Sequence, residues 1–413
     1  MLLKLRKILK ALLRLHNFTF LYKCCIIVVV TKNYKETILI ENLDELRKIE
    51  FNEREKRLAI AKPQELKYNP KKHDNMSVTY VMTSTEVCGV SKIILQQANR
   101  LIKMGYKVSI ISHFPRPTWF PLEEAIDFTQ VPWDTILCSA IKKCDVIVVT
   151  YWREIYEAIE QKIAPVVYFE QGDYHLFDLE NLDDRTKSFI QKQFNVTKFV
   201  YTVSSYAASQ IKNIYKHEAQ IIPNAVNEEI FFFEPHKSNE KIEITIIGAE
   251  DVEFKRIENI LKAVRIVRQK GYDINLNWIS PTMPHINKEA VIVNPEQNVI
   301  GDTLRKTDIY VCASMYESFC LPILEAMTCG ACVITTDNGG NMDFVKDNDN
   351  ALLIEKDNID DIVSKIEYLI NNEDLRKQLA LRGVEDSKKF SWEKTMKKVD
   401  EYYRKVADYE VEE

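Results

Sequence analysis

From Val78 onward, short β-branched runs alternate with longer stretches in which apolar residues recur at helical spacing. This alternation is typical of a parallel sheet with helices on both faces. One series ends near Ile222 and a second begins at Ile242. The pattern therefore predicts an α/β chain of two Rossmann-like halves that join near residue 234.

The elements predicted from this pattern fall into two similar sets. The first set has strands Val78–Met82, Val108–Ser112, Val146–Thr150, Val166–Phe169, Phe199–Thr202 and Ala219–Ile222, and helices Val90–Met104, Arg153–Lys162, Asp183–Gln193 and Ser205–Tyr215. The second has strands Ile242–Ile247, Asn275–Ile279, Ala290–Val293, Ile309–Ala313 and Cys332–Thr335, and helices Arg256–Lys270, Asp302–Lys306, Pro322–Thr328 and Ile359–Asn371. A closing helix is predicted at Ser391–Ala407.

Residues 1–75 do not follow the alternation and are predicted to form an extension. On a helix, residues 1–15 place their basic and apolar side chains on opposite arcs. A basic amphipathic helix either lies at an anionic membrane surface or packs on its own protein, and the sequence leaves both open. The basic arc comprises Lys4, Arg6, Lys7, Lys10 and Arg14.

The rest of the extension gives weaker signals. Strands are predicted at Cys25–Thr31 and Thr37–Ile40, a helix at Asn42–Leu58, and a loop at Lys62–Asn75. The apolar stretch Phe18–Val30 contains Lys23 and is shorter than the roughly 20 residues that a spanning helix needs. No transmembrane segment and no signal peptide are therefore predicted.

Composition narrows the class of protein. The 413 residues carry a net charge of −5, so a nucleic-acid partner is not expected. The cysteines lie mostly in apolar runs, as expected of a protein in the reducing cytoplasm. Cys329 and Cys332 have CxxC spacing, but no second pair or histidine cluster accompanies them, so a packing role is expected.

The strongest chemical signal is a pair of glutamates with seven residues between them, Glu317 and Glu325. Pro322 predicts that a helix begins between them. Glu317 then lies in a loop near free backbone N–H groups that can bind phosphate, and Glu325 lies inside the helix, where its carboxylate can accept hydrogen bonds from a ribose diol. The alternative is that both are ordinary surface charges.

A second candidate is the turn Thr85–Val90, which follows the first predicted strand of the first half. Gly89 would allow its backbone to approach a phosphate at the start of a helix. The turn lacks the GxGxxG and P-loop patterns, so NAD-type and P-loop chemistry are not supported.

Segment Ser314–Met327 resembles the E-x7-E signature of the retaining glycosyltransferase family GT4, and the resemblance continues through Gly330–Gly340. It covers about 78–405 and includes Ile222–Asn227, Thr307–Val311 and Ser391–Glu393 in the family's order. It implies the GT-B fold, with two Rossmann-like domains facing a cleft. The corresponding divisions are an extension at 1–75, an acceptor domain at 76–233, a nucleotide-sugar domain at 234–390, and a helix at 391–413 that returns to the first domain.

The resemblance also implies roles for individual residues. Lys255 matches the family lysine that holds the donor diphosphate, and Glu317 would contact the transferred sugar. Arg256 occupies a position where glycine is common, and we infer that its guanidinium binds phosphate in place of an arginine absent at Ala249. Gly89 would approach the donor phosphate from the first domain. The backbone lining the sugar and phosphates would come from Ser318, Phe319, Cys320 and Leu321, with glycine the commoner residue at Cys320.

Many family members carry a catalytic histidine in a loop of the first domain, and here Gln171 occupies that place. Glu170, Asp173 and His175 are nearby polar alternatives, and the loop is expected to face the cleft. Structural capping by any of these residues remains open.

The predicted function is transfer of a sugar from a nucleotide-sugar donor to a glycan or lipid-linked acceptor, with retention of configuration. No metal or other cofactor is expected, because Asp347–Asp349 is interpreted as a polar turn. Two alternatives stay open: a sugar-nucleotide epimerase using the Glu170–His175 loop, and a non-catalytic carbohydrate-binding subunit. A protein acceptor is also open. The expected location is the cytoplasm, with peripheral contact at the membrane through residues 1–15.

Overall fold

The computed structural model of the chain describes residues 19–23, 26–30, 51–70, 72–133, 135–235, 241–285 and 289–412. Within these residues, strands β1 (Thr19–Lys23) and β2 (Ile26–Val30) pair antiparallel with each other. The predicted helix at 1–15 and the predicted strand at Thr37–Ile40 lie outside the described residues, as does the first part of the predicted helix Asn42–Leu58.

The first domain contains a parallel sheet in the order β10-β9-β8-β7-β4-β5-β6. Its strands are β4 (Ser77–Val81), β5 (Lys107–Ser112), β6 (Asp127–Gln130), β7 (Val146–Val149), β8 (Val166–Glu170), β9 (Phe199–Thr202) and β10 (Gln220–Ile221). Helices α1 (51–59), α2 (Gly89–Lys103), α3 (Ile155–Ile159), α4 (Asp184–Val196) and α5 (Ser205–Tyr215) accompany it. Every residue of β7 is buried, because helices cover both faces of a parallel sheet.

The second domain contains a parallel sheet in the order β13-β12-β11-β14-β15-β16. Its strands are β11 (Ile242–Ile247), β12 (Ile274–Ser280), β13 (Val291–Val293), β14 (Ile309–Cys312), β15 (Cys332–Thr336) and β16 (Ala351–Ile354). Its helices are α6 (Ile257–Gln269), α7 (Gln297–Arg305), α8 (Leu321–Cys329), α9 (Ile359–Asn371) and α10 (Glu373–Ser387).

The last helix, α11 (Trp392–Ala407), returns to the first domain. The Ser391 side chain caps its N-terminus by accepting a hydrogen bond from the Lys394 amide. The Tyr403 hydroxyl lies 3.1 Å from the hydroxyl of Tyr80 and 2.9 Å from that of Tyr201, both in the first sheet. The crossing helix is therefore part of the core of the first domain.

The described part of the predicted extension also packs on the first domain. Leu58 is buried there, and the side chain of Gln64 bonds both the carbonyl of Ala164 and the amide of Val166. Strand β3 (Leu66–Tyr68), in the predicted loop Lys62–Asn75, pairs antiparallel with β17 (Tyr409–Val411). Among the described residues, no helix is long and apolar enough to cross a membrane.

No strand was predicted from the sequence at β1, β3, β16 or β17, and two further elements were missed for physical reasons. Strand β6 is a polar edge strand of the sequence DFTQ, so it shows no β-branched run. Helix α10 carries charged residues around most of its circumference, which weakens the helical period. Helix α7 begins at Gln297, five residues before the predicted start.

Candidate active site

The two glutamates of the second domain lie on either side of the start of helix α8, beyond the carboxyl end of β14. The loop carrying Glu317 is fixed by two backbone hydrogen bonds: the Glu317 amide donates to Asn338, and its carbonyl accepts from Gly340, at 2.9 and 3.1 Å. Glu325 is buried within α8. Carboxyl ends of parallel strands are where ligands bind in open α/β sheets. The structure therefore places both glutamates where the sequence predicted a binding site.

Glu317 is paired with a lysine from the turn Glu253–Lys255, which lies between β11 and α6. Its Oε1 accepts from the Lys255 ammonium and, at 3.0 Å, from the Ser314 hydroxyl. Burial alone lowers the pKa of Lys255, but the facing Glu317 carboxylate outweighs it and raises the pKa above its usual value. Lys255 is therefore a permanent cation at this end of the sheet. Ser314 was not singled out in the sequence.

Glu325 is paired with a lysine from the other domain. Lys92, in the first turn of α2, places its Nζ 3.0 Å from Glu325 Oε1 and also contacts Gln297 of α7. Lys92 was not predicted from the sequence as a site residue. Its position three residues after Gly89 was the available signal, because a residue there lies at the same helix end as the predicted phosphate-binding turn.

Arg256 pairs with Asp357, whereas we inferred that its guanidinium binds phosphate. Its backbone is left-handed, with φ of 51°, which explains why glycine is common at this position. Its Nε lies 2.6 Å from Asp357 Oδ1 and its Nη2 lies 3.2 Å from Asp357 Oδ2. The guanidinium is thus engaged by a carboxylate in a bidentate pair and is not left open for phosphate in this arrangement.

Gly89 is the first residue of α2, and Cys88 caps the helix by accepting from the Ser91 amide. A Cβ placed on Gly89 would meet no described atom within 4 Å. The N-terminus of α2 is therefore approachable, as a phosphate-binding helix end must be.

Gln171 and Gly172 lie at the boundary between the domains. The Ser318 hydroxyl donates to the Gln171 carbonyl at 2.6 Å, and Gly172 faces the Ser318 side chain. The Gln171 side chain makes a long contact of 3.5 Å with the carbonyl of Val90 in α2. The loop was expected to face the cleft, and its backbone does so at Gln171 and Gly172.

The other polar residues of that loop point into the first domain instead. Glu170 and His175 are buried, and Glu170 Oε2 lies 2.9 Å from His175 Nε2. Glu170 also accepts from the Tyr168 hydroxyl and from the amides of Gly172 and Asp173. Burial alone raises the pKa of Glu170, but the facing His175 and these hydrogen bonds outweigh it, so its pKa lies below the usual 4.5.

Asp173 is likewise used structurally. Its carboxylate accepts from the Trp152 indole at 2.7 Å and caps the turn Tyr174–Leu176. The placement of Glu170 and His175 as cleft residues is therefore corrected: both belong to a buried network that shapes the loop. The epimerase interpretation loses its candidate acid–base pair with them.

The remaining predicted lining residues lie at the start of α8. Phe319 is buried against Phe344 and Phe390, so only its backbone can serve a ligand. Cys320 adopts a left-handed φ of 64° immediately before Leu321, the first residue of α8. This conformation explains the common glycine at Cys320.

The thiol of Cys320 lies 3.8 Å from that of Cys312. The hydrogen bond from Cys320, opposed by burial and aided by the nearby Lys255, lowers the pKa of Cys312 to about 7.

A stack of aromatic rings crosses the cleft beside Lys255 and Glu317. Tyr206 stacks on Phe177, Phe177 on Tyr316, and Tyr316 on Phe254, with ring centroids 5.6, 5.5 and 4.8 Å apart. Tyr206 and Phe177 belong to the first domain, while Tyr316 and Phe254 directly precede Glu317 and Lys255. The stack could not be predicted from the sequence, because it forms only when the domains face each other.

Two Rossmann-like domains that meet across a cleft, with paired charges at the strand ends and a last helix that crosses back, define a protein of the GT-B glycosyltransferase fold. Residues 285–386 match the family described as glycosyl transferases group 1. This part of the second domain is therefore similar to the group 1 family.

Individual relatives agree with this assignment. The chain is 31% identical over 238 residues to the uncharacterized glycosyltransferase MJ1178 of Methanocaldococcus jannaschii, covering 51% of this chain and 60% of that protein. The structure of sucrose-phosphate synthase from Thermosynechococcus elongatus is similar with a TM-score of 0.69 and 14% identity, over 80% of this chain and 99% of that one. Anabaena Alr3699/HepE in complex with UDP-glucose gives a TM-score of 0.67 and 13% identity, over 79% and 98%. These two structures show the shared fold.

Proposed function

We propose that this protein transfers a sugar from a nucleotide-sugar donor to a glycan or lipid-linked acceptor, with retention of configuration and without a metal. The observation that carries the proposal is the pairing of Lys255 with Glu317 beside Glu325, at the strand ends that face the first domain. This arrangement combines a cation for a leaving phosphate with carboxylates for sugar hydroxyls.

The chemistry requires charge to be stabilised on both sides of the breaking bond. As the anomeric carbon–oxygen bond breaks, the electron pair leaves with the nucleoside diphosphate and positive charge develops on the sugar. Lys255 and the backbone N–H groups at the start of α8 would stabilise the departing diphosphate. These fixed positive groups support metal-independent transfer.

For retention, the acceptor oxygen forms its bond on the face from which the diphosphate departs, and the acceptor proton passes to a diphosphate oxygen. Glu317 would contact the sugar through Oε2, because its Oε1 already accepts from Lys255 and Ser314. The contacts between the Gln171–Gly172 backbone and Ser318 would help exclude water from the reacting centre.

The choice of donor and acceptor is guided by weaker signals. The HepE structure contains UDP-glucose, which makes UDP the first nucleotide to test here. A lipid-linked acceptor suits the basic amphipathic pattern of residues 1–15, which would bring the enzyme to the cytoplasmic face of a membrane.

The proposal is tested by thermal shift with UDP, GDP, dTDP, ADP and CMP, without metal, on the wild type and Glu325→Gln. Binding to the native state raises the melting temperature, so one nucleotide should stabilise the wild type and stabilise the variant less. Glu289→Gln is the matched control, because Glu289 likewise forms an ion pair, with Arg268 of the same domain. If no nucleotide at millimolar concentration shifts the wild type, the transferase proposal fails and a non-catalytic role takes its place.

Transfer itself is then measured with sugars of the selected nucleotide. NMR of the product shows whether its anomeric configuration matches that of the donor. An inverted product would overturn the retaining mechanism and leave the donor site intact.

A further inference from the structure

Lys92 is the one described lysine of α2 that contacts the second domain. Its ammonium contacts Glu325 Oε1 at 3.0 Å and the Gln297 side chain, and it lies 5.2 Å from the centre of the Phe231 ring. The Lys92 side chain is 12% exposed and that of Glu325 is 7% exposed. The ion pair is thus nearly enclosed between the two domains.

Enclosing these charges carries a free-energy cost that the contacts of the two side chains must offset. Removing an ammonium from water costs several kcal/mol unless a carboxylate and further polar groups compensate. Among the described residues, the hydrogen-bond partners of the Lys92 ammonium are Glu325 and Gln297, and both belong to the second domain. A wider separation of the two domains would therefore break the pair and return both charges to water.

The geometry leaves part of the Glu325 carboxylate available. Lys92 contacts Oε1, whereas Oε2 has no hydrogen-bond partner among the described residues. Glu317 shows the same division, with Oε1 bonded to Lys255 and Ser314. Each glutamate is thus anchored through one oxygen by a lysine, and the two lysines come from different domains.

We propose that Lys92 is a positioning residue that reaches across the cleft to orient Glu325 for the ribose diol of the nucleotide. This inference rests on the proposed function, in which Glu325 binds ribose. Nucleoside recognition is then completed only in the closed enzyme, because the first domain supplies the group that orients the ribose-binding carboxylate. Lys92 itself acts through Glu325 and leaves the phosphates to Lys255.

Two other roles for Lys92 make different predictions about nucleotide binding. If Lys92 merely occupied Glu325 until the nucleotide arrived, its removal would free the carboxylate and tighten nucleotide binding. If Lys92 served only to hold the domains together, its removal would weaken all ligands of the cleft alike, whether or not they carry a ribose diol.

The test compares two ligands that differ only in the diol. Dissociation constants are measured by calorimetry for UDP, or whichever nucleoside diphosphate stabilises the wild type, and for its 2′,3′-dideoxy analogue. The proteins are the wild type, Lys92→Met, Lys92→Arg and, as a control, Lys103→Met, which removes an exposed lysine of the same helix.

We expect Lys92→Met to weaken binding of the ribonucleotide about tenfold, equivalent to about 1.4 kcal/mol, and binding of the dideoxy analogue less than about twofold. Lys92→Arg should restore part of the preference for ribose, and Lys103→Met should leave both affinities unchanged. Lys92→Gln replaces the methionine variant if the latter does not fold, as judged by circular dichroism.

Three results overturn the inference: tighter ribonucleotide binding by Lys92→Met, unchanged binding, or equal weakening of both ligands. Each leaves the proposed function standing, because the wild type still binds the nucleotide. A wild type that binds no nucleotide defeats the proposed function itself and with it this role for Lys92.

Discussion

The hydroxyl of Ser318 donates a hydrogen bond to the carbonyl of Gln171, 2.6 Å away, and so joins the loop before α8 to the first domain. The neighbouring residue Gly172 has φ of 102°, and a Cβ there would lie well inside van der Waals contact with the Ser318 side chain. The two domains can therefore approach this closely only because residue 172 lacks a side chain.

We expect Gly172→Ala to hold the cleft open and to lower kcat/KM for sugar transfer at least tenfold, because the reacting groups are no longer brought together. Gly271→Ala is the matched control: Gly271 also has positive φ, of 95°, but its Cβ would meet no described atom within 4 Å. Both variants carry backbone strain, so equal losses of transfer rate in the two would contradict a role for this contact in closure.

Lys255 is expected to supply the main charge for departure of the diphosphate. Lys255→Met should lower kcat about 10²- to 10³-fold, the usual effect of deleting one group that stabilises developing negative charge. Lys255→Arg keeps the charge and should recover part of the rate. Lys270→Met, which removes a lysine paired with Glu367 at the surface, should transfer sugar at the wild-type rate. A near-normal rate for Lys255→Met would remove Lys255 from the mechanism.

We expect substitution of Arg256 to change the free energy of unfolding, through backbone strain, more than it changes nucleotide affinity. Because its φ is 51°, Arg256→Gly should fold at least as well as Arg256→Ala, with an advantage of about 1 kcal/mol in free energy of unfolding from relief of the left-handed strain. Nucleotide affinity of Arg256→Gly should stay within about threefold of wild type, since Asp357 holds the guanidinium. A loss greater than about tenfold would show that Arg256 leaves Asp357 to bind phosphate.

Cys320 offers the same comparison beside the active site. Its φ of 64° favours glycine, so Cys320→Gly should be about 1 kcal/mol more stable than Cys320→Ala in urea denaturation. Both variants remove the thiol, so the difference isolates the effect of the Cβ. Equal stabilities would mean that packing around Cβ offsets the strain.

The buried Glu170 makes stability depend on pH. Because the pKa of folded Glu170 lies below 4.5, its carboxylate stabilises the fold fully above about pH 4.5, and this stabilisation is lost as pH falls through the folded pKa. Glu170→Gln should lower the free energy of unfolding by about 3 kcal/mol at pH 7, because His175 loses its charged partner.

The measurement is urea denaturation of wild type and Glu170→Gln between pH 7 and pH 3. The gap between the two proteins should narrow below pH 4.5. A gap independent of pH would show that the carboxylate acts only through neutral hydrogen bonds.

Features formed by contiguous residues could be predicted from the sequence, whereas contacts between distant residues could not. Most strands and helices and the Glu317–Glu325 spacing arise from contiguous residues, so their patterns predicted most of both sheets and the position of the two glutamates at the start of α8. The contact between Lys92 and Glu325 could not be predicted, because the two residues are 233 positions apart in the sequence and lie in different domains.

The same distinction explains why the partners of three other residues were not predicted. Arg256 adjoins Lys255 in sequence, but its partner Asp357 lies 101 positions away. Glu170 and His175 were assigned to the cleft with the rest of their loop, whereas the pairing of their side chains inside the domain depends on Tyr168 and Tyr215.

The crossing helix α11 bears on how the protein is made. Tyr403 completes a hydrogen-bonded cluster with Tyr80 and Tyr201, yet the whole second domain is translated between Tyr201 and Tyr403. The first domain therefore leaves the ribosome before this packing element is made. While the second domain is being translated, the nascent chain carries an uncovered apolar surface on the first domain, and a holdase chaperone would have a site to bind there.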